Sequence, residues 1–241
     1  EQGKDTVYYY TKIMKEGSFH TMDCVEFAQD FHNKTMNKEE AGQLSVYLEP
    51  DSQADNTTLH KVSIKNKLSQ ITWGDLDVKE TTGAVVSIKE MTKDYNTIVI
   101  KDVVAAADED GSVSYYNVEE YYRIRQGAER MYLLAYERTA EEIFDGKSDS
   151  ITKNAICLGI RSEDVDFESN ETGSGVCFVQ QGDLWTYNQD TNQLVQVFSF
   201  RGTEGIDARE NYDQHDIRII KTDEGGGIDF IRITDNGCGI E

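Results

Sequence analysis

The stretch Asn96–Glu137, NTIVIKDVVAAADEDGSVSYYNVEEYYRIRQGAERMYLLAYE, sets the fold class. Runs rich in Val, Ile, Tyr and Thr alternate with short polar or Gly-bearing breaks, which is how strands joined by turns are written. The runs predict strands at 96–104, 112–117, 120–125 and 130–137. Asp108-Glu109-Asp110-Gly111 is the clearest turn between them.

The same pattern continues in both directions. Toward the N-terminus it predicts strands at 6–14, 44–49, 59–66, 69–73 and 84–90. Toward the C-terminus it predicts strands at 155–160, 164–168, 175–180, 183–187, 194–200, 215–221 and 228–234. Helix is scarce. Met22–Gly42 is the best candidate, with Asp23 as a cap and Phe27, Phe31 and Met36 at roughly helical spacing. A short second helix is expected at Thr139–Phe144. The fold class is therefore mainly β, built from antiparallel hairpin repeats in a propeller-like or sandwich arrangement, with one helix near 22–42. Two regions are expected, within a single domain or as two: a β-rich part with the helix at 1–145, and a hairpin-repeat part at 146–241. Their boundary rests on the polar stretch Asp145–Ser150, since no Pro- or Ser-rich linker divides the chain.

Composition narrows the function. Of 241 residues, 24 are Lys or Arg and 45 are Asp or Glu, a formal net charge of −21. That argues against non-specific nucleic-acid binding, whose affinity comes from basic side chains on phosphates. It favours cationic partners. With 38% hydrophobic residues the chain can bury a core. It has no apolar run long enough to span a membrane. The polar start at Glu1 does not read as a signal peptide, and the stop after Gly239-Ile240-Glu241 reads as a fragment boundary. Cys24, Cys157, Cys177 and Cys238 form no C-x-x-C pair. His20, His32, His60 and His215 are scattered, so no zinc template fits by spacing. Cys157 and Cys177 lie in apolar runs and are expected to be packed thiols.

Two segments repeat one order of strand, turn, strand, turn at an offset of 41 to 45 residues. One runs through Val176–Val179, Gly182–Trp185 and Asn188–Asn192. The other runs through Ile217–Ile220, Gly227–Phe230 and Thr234–Gly237. Such a period is what propeller blades show. Residues 175–200, with Trp185, Leu194, Phe198 and Phe200, resemble a blade hairpin of bacterial extracytoplasmic β-propeller-like proteins.

Several constellations carry little chemistry. If Gly111 were position 6 of a calcium loop, Ala106 and Asn117 would stand where ligands are needed, so the acidic turn is read as a hairpin tip. Tyr8-Tyr9-Tyr10, Tyr115-Tyr116 and Tyr121-Tyr122 are adjacent pairs or triples. On a strand they point to opposite faces, one ring inward and one shielding the sheet. There is no Gly-x-Ser-x-Gly elbow, and Gly225-Gly226-Gly227 is followed by no Gly-Lys-Ser/Thr.

The tail is sharper. Gly226–Glu241, GGIDFIRITDNGCGIE, resembles the adenine-binding motif of the MutL-type (GHKL superfamily) ATPases. The resemblance implies that Asp235 accepts the adenine amino hydrogen and that Gly237 and Gly239 let the backbone approach the base. It extends loosely to 207–241, where Asn211 matches the family's magnesium ligand and Asp207 stands in place of its general-base Glu. The implied cofactor is ATP with magnesium. The departures are the roughly 200 unrelated residues before the motif and a chain that stops before the family's Gly-rich lid.

The leading expectation is a non-catalytic binding or scaffold domain of a bacterial extracytoplasmic or cell-surface protein, with no catalytic residue and no cofactor. Its partner would be a protein or a glycan, met by exposed aromatics such as Tyr115, Tyr121 and Trp185. The alternative is an ATP-binding, cytoplasmic fragment of a MutL-like mismatch-repair ATPase.

Overall fold

The computed structural model describes residues 19–81, 83–107, 112–146, 150–152, 155–159, 165–200 and 215–234. The chain is mainly β, 48% strand and 15% helical, in antiparallel sheets. The expected strand at 6–14, Tyr8–Tyr10 and the acidic turn at 108–111 lie outside the described residues.

Helix α1, Thr21–Met36, buries Cys24, Val25, Ala28, Phe31, His32 and Thr35, one face at three- and four-residue spacing. Asp23 in the first turn and Lys34 in the last suit the helix dipole. Asp23 is not the cap. His20 holds that position in the left-handed region (φ 49°), and its ring meets the Asp23 carboxylate at 3.0 Å. The helix also stops short of Gly42. Asn37 is extended, and its side chain accepts the Glu39 N–H (3.1 Å), starting a turn.

A 3-10 helix at Ala41–Tyr47 then replaces the strand expected at 44–49. Ala41 and Leu44, three apart, are its buried residues, and that is the period of a 3-10 turn. The strand expected at 69–73 is likewise a single helical turn, α2 (Leu68–Ile71). Its end carbonyls go to cations rather than to a ladder. Arg138 donates to the oxygens of Ile71 (2.7 Å) and Gln70 (3.1 Å), and Lys38 to those of Thr72 and Gly74.

The first sheet comprises β1 (Lys61–Ser63), β2 (Asp77–Glu80), β3 (Val85–Met91), β4 (Asn96–Ala107), β5 (Val113–Gln126) and β6 (Met131–Glu142). Its order is β1-β6-β5-β4, with β2 and β3 sharing the outer edge of β4. Strand β5 is continuous where two strands were expected. Glu119 and Glu120 do not break it because they face opposite ways: Glu119 meets Lys101 outside at 2.7 Å and Glu120 turns inward. Strand β6 runs on through Thr139–Glu142, the start of the short helix expected there, because Thr139 and Ala140 stay paired with Glu119 and Val118. The short, charged β2 escaped the sequence pattern altogether.

The second sheet is a meander of β7 (Phe167–Ser169), β8 (Gly175–Gln180), β9 (Asp183–Asn188) and β10 (Gln193–Phe198), in the order β10-β9-β8-β7. Of the strand expected at 155–160, the described residues 155–159 hold only an isolated bridge, Ile156 to Ile151. Gln181 and Gly182 link β8 and β9 with φ of 53° and 76°, the two positive angles of a type I′ hairpin turn. Phe144, Phe178 and Trp185 form the core of this part, packed edge to face. Gln181 bridges back to the first sheet, accepting from Asn117 and donating to Glu141.

Strands β11 (His215–Thr222) and β12 (Ile228–Thr234) form a hairpin that lies against β7 and β8. The Asp223 carboxylate closes its turn by accepting the N–H groups of Gly225 and Gly227 (2.8 and 2.7 Å). Glu224 at the tip accepts from Asn170 and Thr172. Both segments of the suspected repeat thus contain an antiparallel hairpin.

Candidate functional site

The inner face of the first sheet, against which α1 packs, is not uniformly apolar. One cluster holds Phe31, Ile98, Ile100, Tyr122, Ile124 and Tyr136. A second holds Trp73, Val78, Val104, Tyr116, Val118 and Ala140. Strand parity places Asp102, Glu120 and Arg138 on this same face, and α1 sets His32 over them.

Glu120 is the centre of this polar layer. Its carboxylate accepts from His32 Nδ1 (2.7 Å), Tyr122 Oη (2.7 Å) and Tyr136 Oη (2.8 Å). Burial alone would raise its pKa, but these hydrogen bonds and the charges of His32 and Arg138 hold it below the ordinary carboxylate value. Glu120 therefore acts as acceptor only, which places the hydrogen of His32 on Nδ1. Burial pushes the His32 pKa down. The Glu120 bond and the charges of Glu120, Asp102 and Glu80 outweigh it and leave it raised. Tyr122 and Tyr136 are held well above their usual value, by burial first and by Glu120 second.

Arg138, fully buried, pairs with Glu120 across β5 and β6 and turns its guanidinium to α2, where it lies 3.7 Å from the Trp73 ring centre. Trp73 holds a positive φ of 67°, a backbone cost of about 1–3 kcal/mol that the packing must offset.

Asp102 differs from the rest. Its side chain has no exposure, and among the described residues neither carboxylate oxygen has a hydrogen-bond partner. Nor does Nε2 of His32, 3.7 Å from Asp102 Oδ2. Unpartnered buried groups of this kind cost about 1–3 kcal/mol each. Burial raises the Asp102 pKa to about 7, Glu120 and Glu80 add to the rise, and His32 and Arg138 oppose it.

Asp102 also sits where the edge of the sheet breaks. Glu80, the last residue of β2, pairs with Val104, and Val85, the first of β3, pairs with Lys101, so the edge passes from β2 to β3 beside Asp102 and Val103. Glu80, exposed there, brings its carboxylate to the same place. Ligand atoms of His32, Glu80 and Asp102 all lie within 4.8 Å of one another. Among the described residues, these three could hold a metal ion.

A second feature lies on the other sheet, apart from this polar layer. It is a hollow of about 340 Å³ lined by Ile156, Leu158, Phe167, Val176, Phe178 and Tyr187 among others. Phe167 at its edge is 63% exposed.

The residues singled out in the sequence fall elsewhere. Asn211, Asp235, Gly237, Gly239 and Cys238 lie outside the described residues. Trp185 is a core residue, not an exposed contact, because it packs on Phe144 beneath the sheet. Tyr115 is exposed while Tyr116 is buried, and Tyr121 is partly exposed while Tyr122 is buried, as strand alternation requires. Cys177 is a packed thiol. Cys157 is exposed, since the apolar run around it forms only a bridge. No helix among the described residues is long and apolar enough to cross a membrane.

Sequence reasoning missed His32, Asp102 and Glu120. The usable signal was parity: Asp102 alternates with Ile98, Ile100, Val104 and Ala106 on the buried side of β4, a place where a charge is costly. Set against protein-family models, curated proteins and solved structures, the chain matches none of them.

Proposed function

We propose that this chain is a non-catalytic binding module of a bacterial extracytoplasmic protein, and that its ligand sits in the apolar hollow over the four-stranded sheet. The observation that carries this reading is the hollow itself. It has room for a side chain or a sugar ring, and Phe167 and Tyr187 give it aromatic surface. The likeness of 175–200 to a propeller-type hairpin supports the extracytoplasmic setting. The net charge of −21 favours a protein partner with a basic surface around its apolar contact, whereas a neutral glycan would be held by the aromatic surface alone.

The test is binding to a glycan array and to immobilised basic proteins, with a Phe167→Ser/Tyr187→Ser variant alongside. The reading expects a ligand that the wild-type chain holds unchanged and the variant releases. Chemical turnover of that ligand would sink the non-catalytic part. The ATP reading rests on the likeness of 226–241 and has its own arm: titration with a non-hydrolysable ATP analogue and magnesium, beside Asp235→Asn. Heat that the variant loses would transfer the function to Asp235, Gly237, Gly239 and Asn211.

A further inference from the structure

We propose that His32, Asp102 and Glu80 form a site for one divalent transition-metal ion, Zn²⁺ being the best fit, at the edge of the first sheet where β2 gives way to β3. The argument starts from the two unpartnered side chains. His32 Nε2 and both oxygens of Asp102 are buried, and among the described residues no donor or acceptor satisfies them. The side chains of His32 and Asp102 are 5% and 0% exposed, so bulk water does not do so either. An ion between them would satisfy both groups at once.

The geometry agrees. Two ligands about 2.1 Å from one ion and 3.7 Å from each other subtend roughly 120° at the metal, near the tetrahedral range. Glu80 offers the third ligand: a carboxylate oxygen within 4.8 Å of the other two ligand atoms, on an exposed side chain that can close in on an ion. Its Oε1 accepts the Ala84 N–H (2.6 Å), which steadies the carboxylate. A tetrahedral ion held by three protein ligands would keep its fourth position for solvent or a ligand group.

The outer groups are those a metal-binding imidazole needs. Nδ1–H of His32 donates to Glu120, which directs the Nε2 lone pair toward Asp102 and makes it a better donor. Tyr122 and Tyr136 in turn hold the two Glu120 oxygens. One imidazole with two carboxylates suits Zn²⁺, Mn²⁺ or Fe²⁺, whereas Mg²⁺ and Ca²⁺ prefer all-oxygen sets. Glu120 acts through His32 and is a positioning residue, not a ligand.

The experiment is titration of the chelator-stripped full chain with Zn²⁺ in physiological salt and excess Mg²⁺, which saturates the acidic surface. Glu80→Gln, exposed and safe for folding, and Asp102→Asn are titrated beside it, with far-ultraviolet circular dichroism to check their fold. Wild type is expected to take up a single tight equivalent, weakened on the order of 10- to 100-fold or more in each variant. Co²⁺ in place of Zn²⁺ should give the intense visible absorption of a low-coordinate site, lost in Asp102→Asn. Zn²⁺ uptake equal in wild type and Glu80→Gln would place the ion elsewhere on the acidic surface and overturn the proposal. So would the absence of any tight equivalent in wild type.

Discussion

His32 and Glu120, 88 positions apart in the chain, meet at 2.7 Å in the core between α1 and the first sheet. The contact ties a helix to a strand through a charge that water cannot reach, so both groups depend on their partners.

Glu120→Gln should therefore be costly. The amide keeps the shape but presents a donor to one of three donors now facing the carboxylate. A loss of about 3 kcal/mol is expected, as for other broken buried charge networks. At this chain length it lowers the melting temperature by roughly 6–12 °C. Urea unfolding of the two proteins measures it, and a change under about 0.5 kcal/mol, typical of a surface site, would mean that the network contributes nothing.

The metal-free protein should lose stability as pH rises from about 5 to 8. Asp102 faces His32 from α1, Glu80 from β2, Glu120 from β5 and Arg138 from β6. Its pKa goes from the ordinary 3.8 to about 7 on folding, so between those values the native state holds a proton that the unfolded chain has released. His32, raised above 6.5, adds stability that is present below that value and lost as pH climbs through its folded pKa. The lowered Glu120 acts the other way, but only where pH falls below 4.5 toward its folded value. Denaturant midpoints with chelator at pH 5.5 and 8 should show the decline. Asp102→Asn should flatten it and be the more stable protein at pH 8.

Gly182→Ala isolates the cost of backbone geometry. Gly182 has φ 76°, and nothing lies within 4 Å of where a Cβ would stand, so no clash contributes. The variant should lose roughly 1 kcal/mol from the left-handed strain alone. A loss above 3 kcal/mol would show that the turn does more than reverse the chain.

Thiol labelling should separate the cysteines. Cys157 is exposed and should react at once with a disulfide reagent. Cys24 is fully buried and its thiol pKa is raised by burial, so it should react only on unfolding. Cys177 is equally enclosed. Prompt labelling of a Cys157→Ser variant at Cys24 would mean that α1 detaches readily from the sheet.

Much of the fold was legible because its signal is local. Strands 175–180 and 228–234 match the sequence pattern residue for residue, since alternation and flanking turn residues act within one segment. The expectations that failed share one physical cause. At 44–49 and 69–73 the residues have strand-like chemistry, but burial of Leu44 and Ile71 and the cations on the α2 carbonyls favour helical turns. Likewise Glu119-Glu120 looks like a break in one dimension and is an alternation in three.

The sequence by itself determined the class of this protein: β-rich, strongly acidic, with one amphipathic helix and hairpins turned by Gly, Asn and Asp. Those properties follow from side-chain shape and periodicity over a few neighbours. Only the tertiary structure decided that His32, Glu80, Asp102 and Glu120 form one site. Each is a single residue among 45 acids and four histidines, and none lies in a motif. Their chemistry arises when distant segments are brought together away from water, where an unpaired charge must find a partner or an ion.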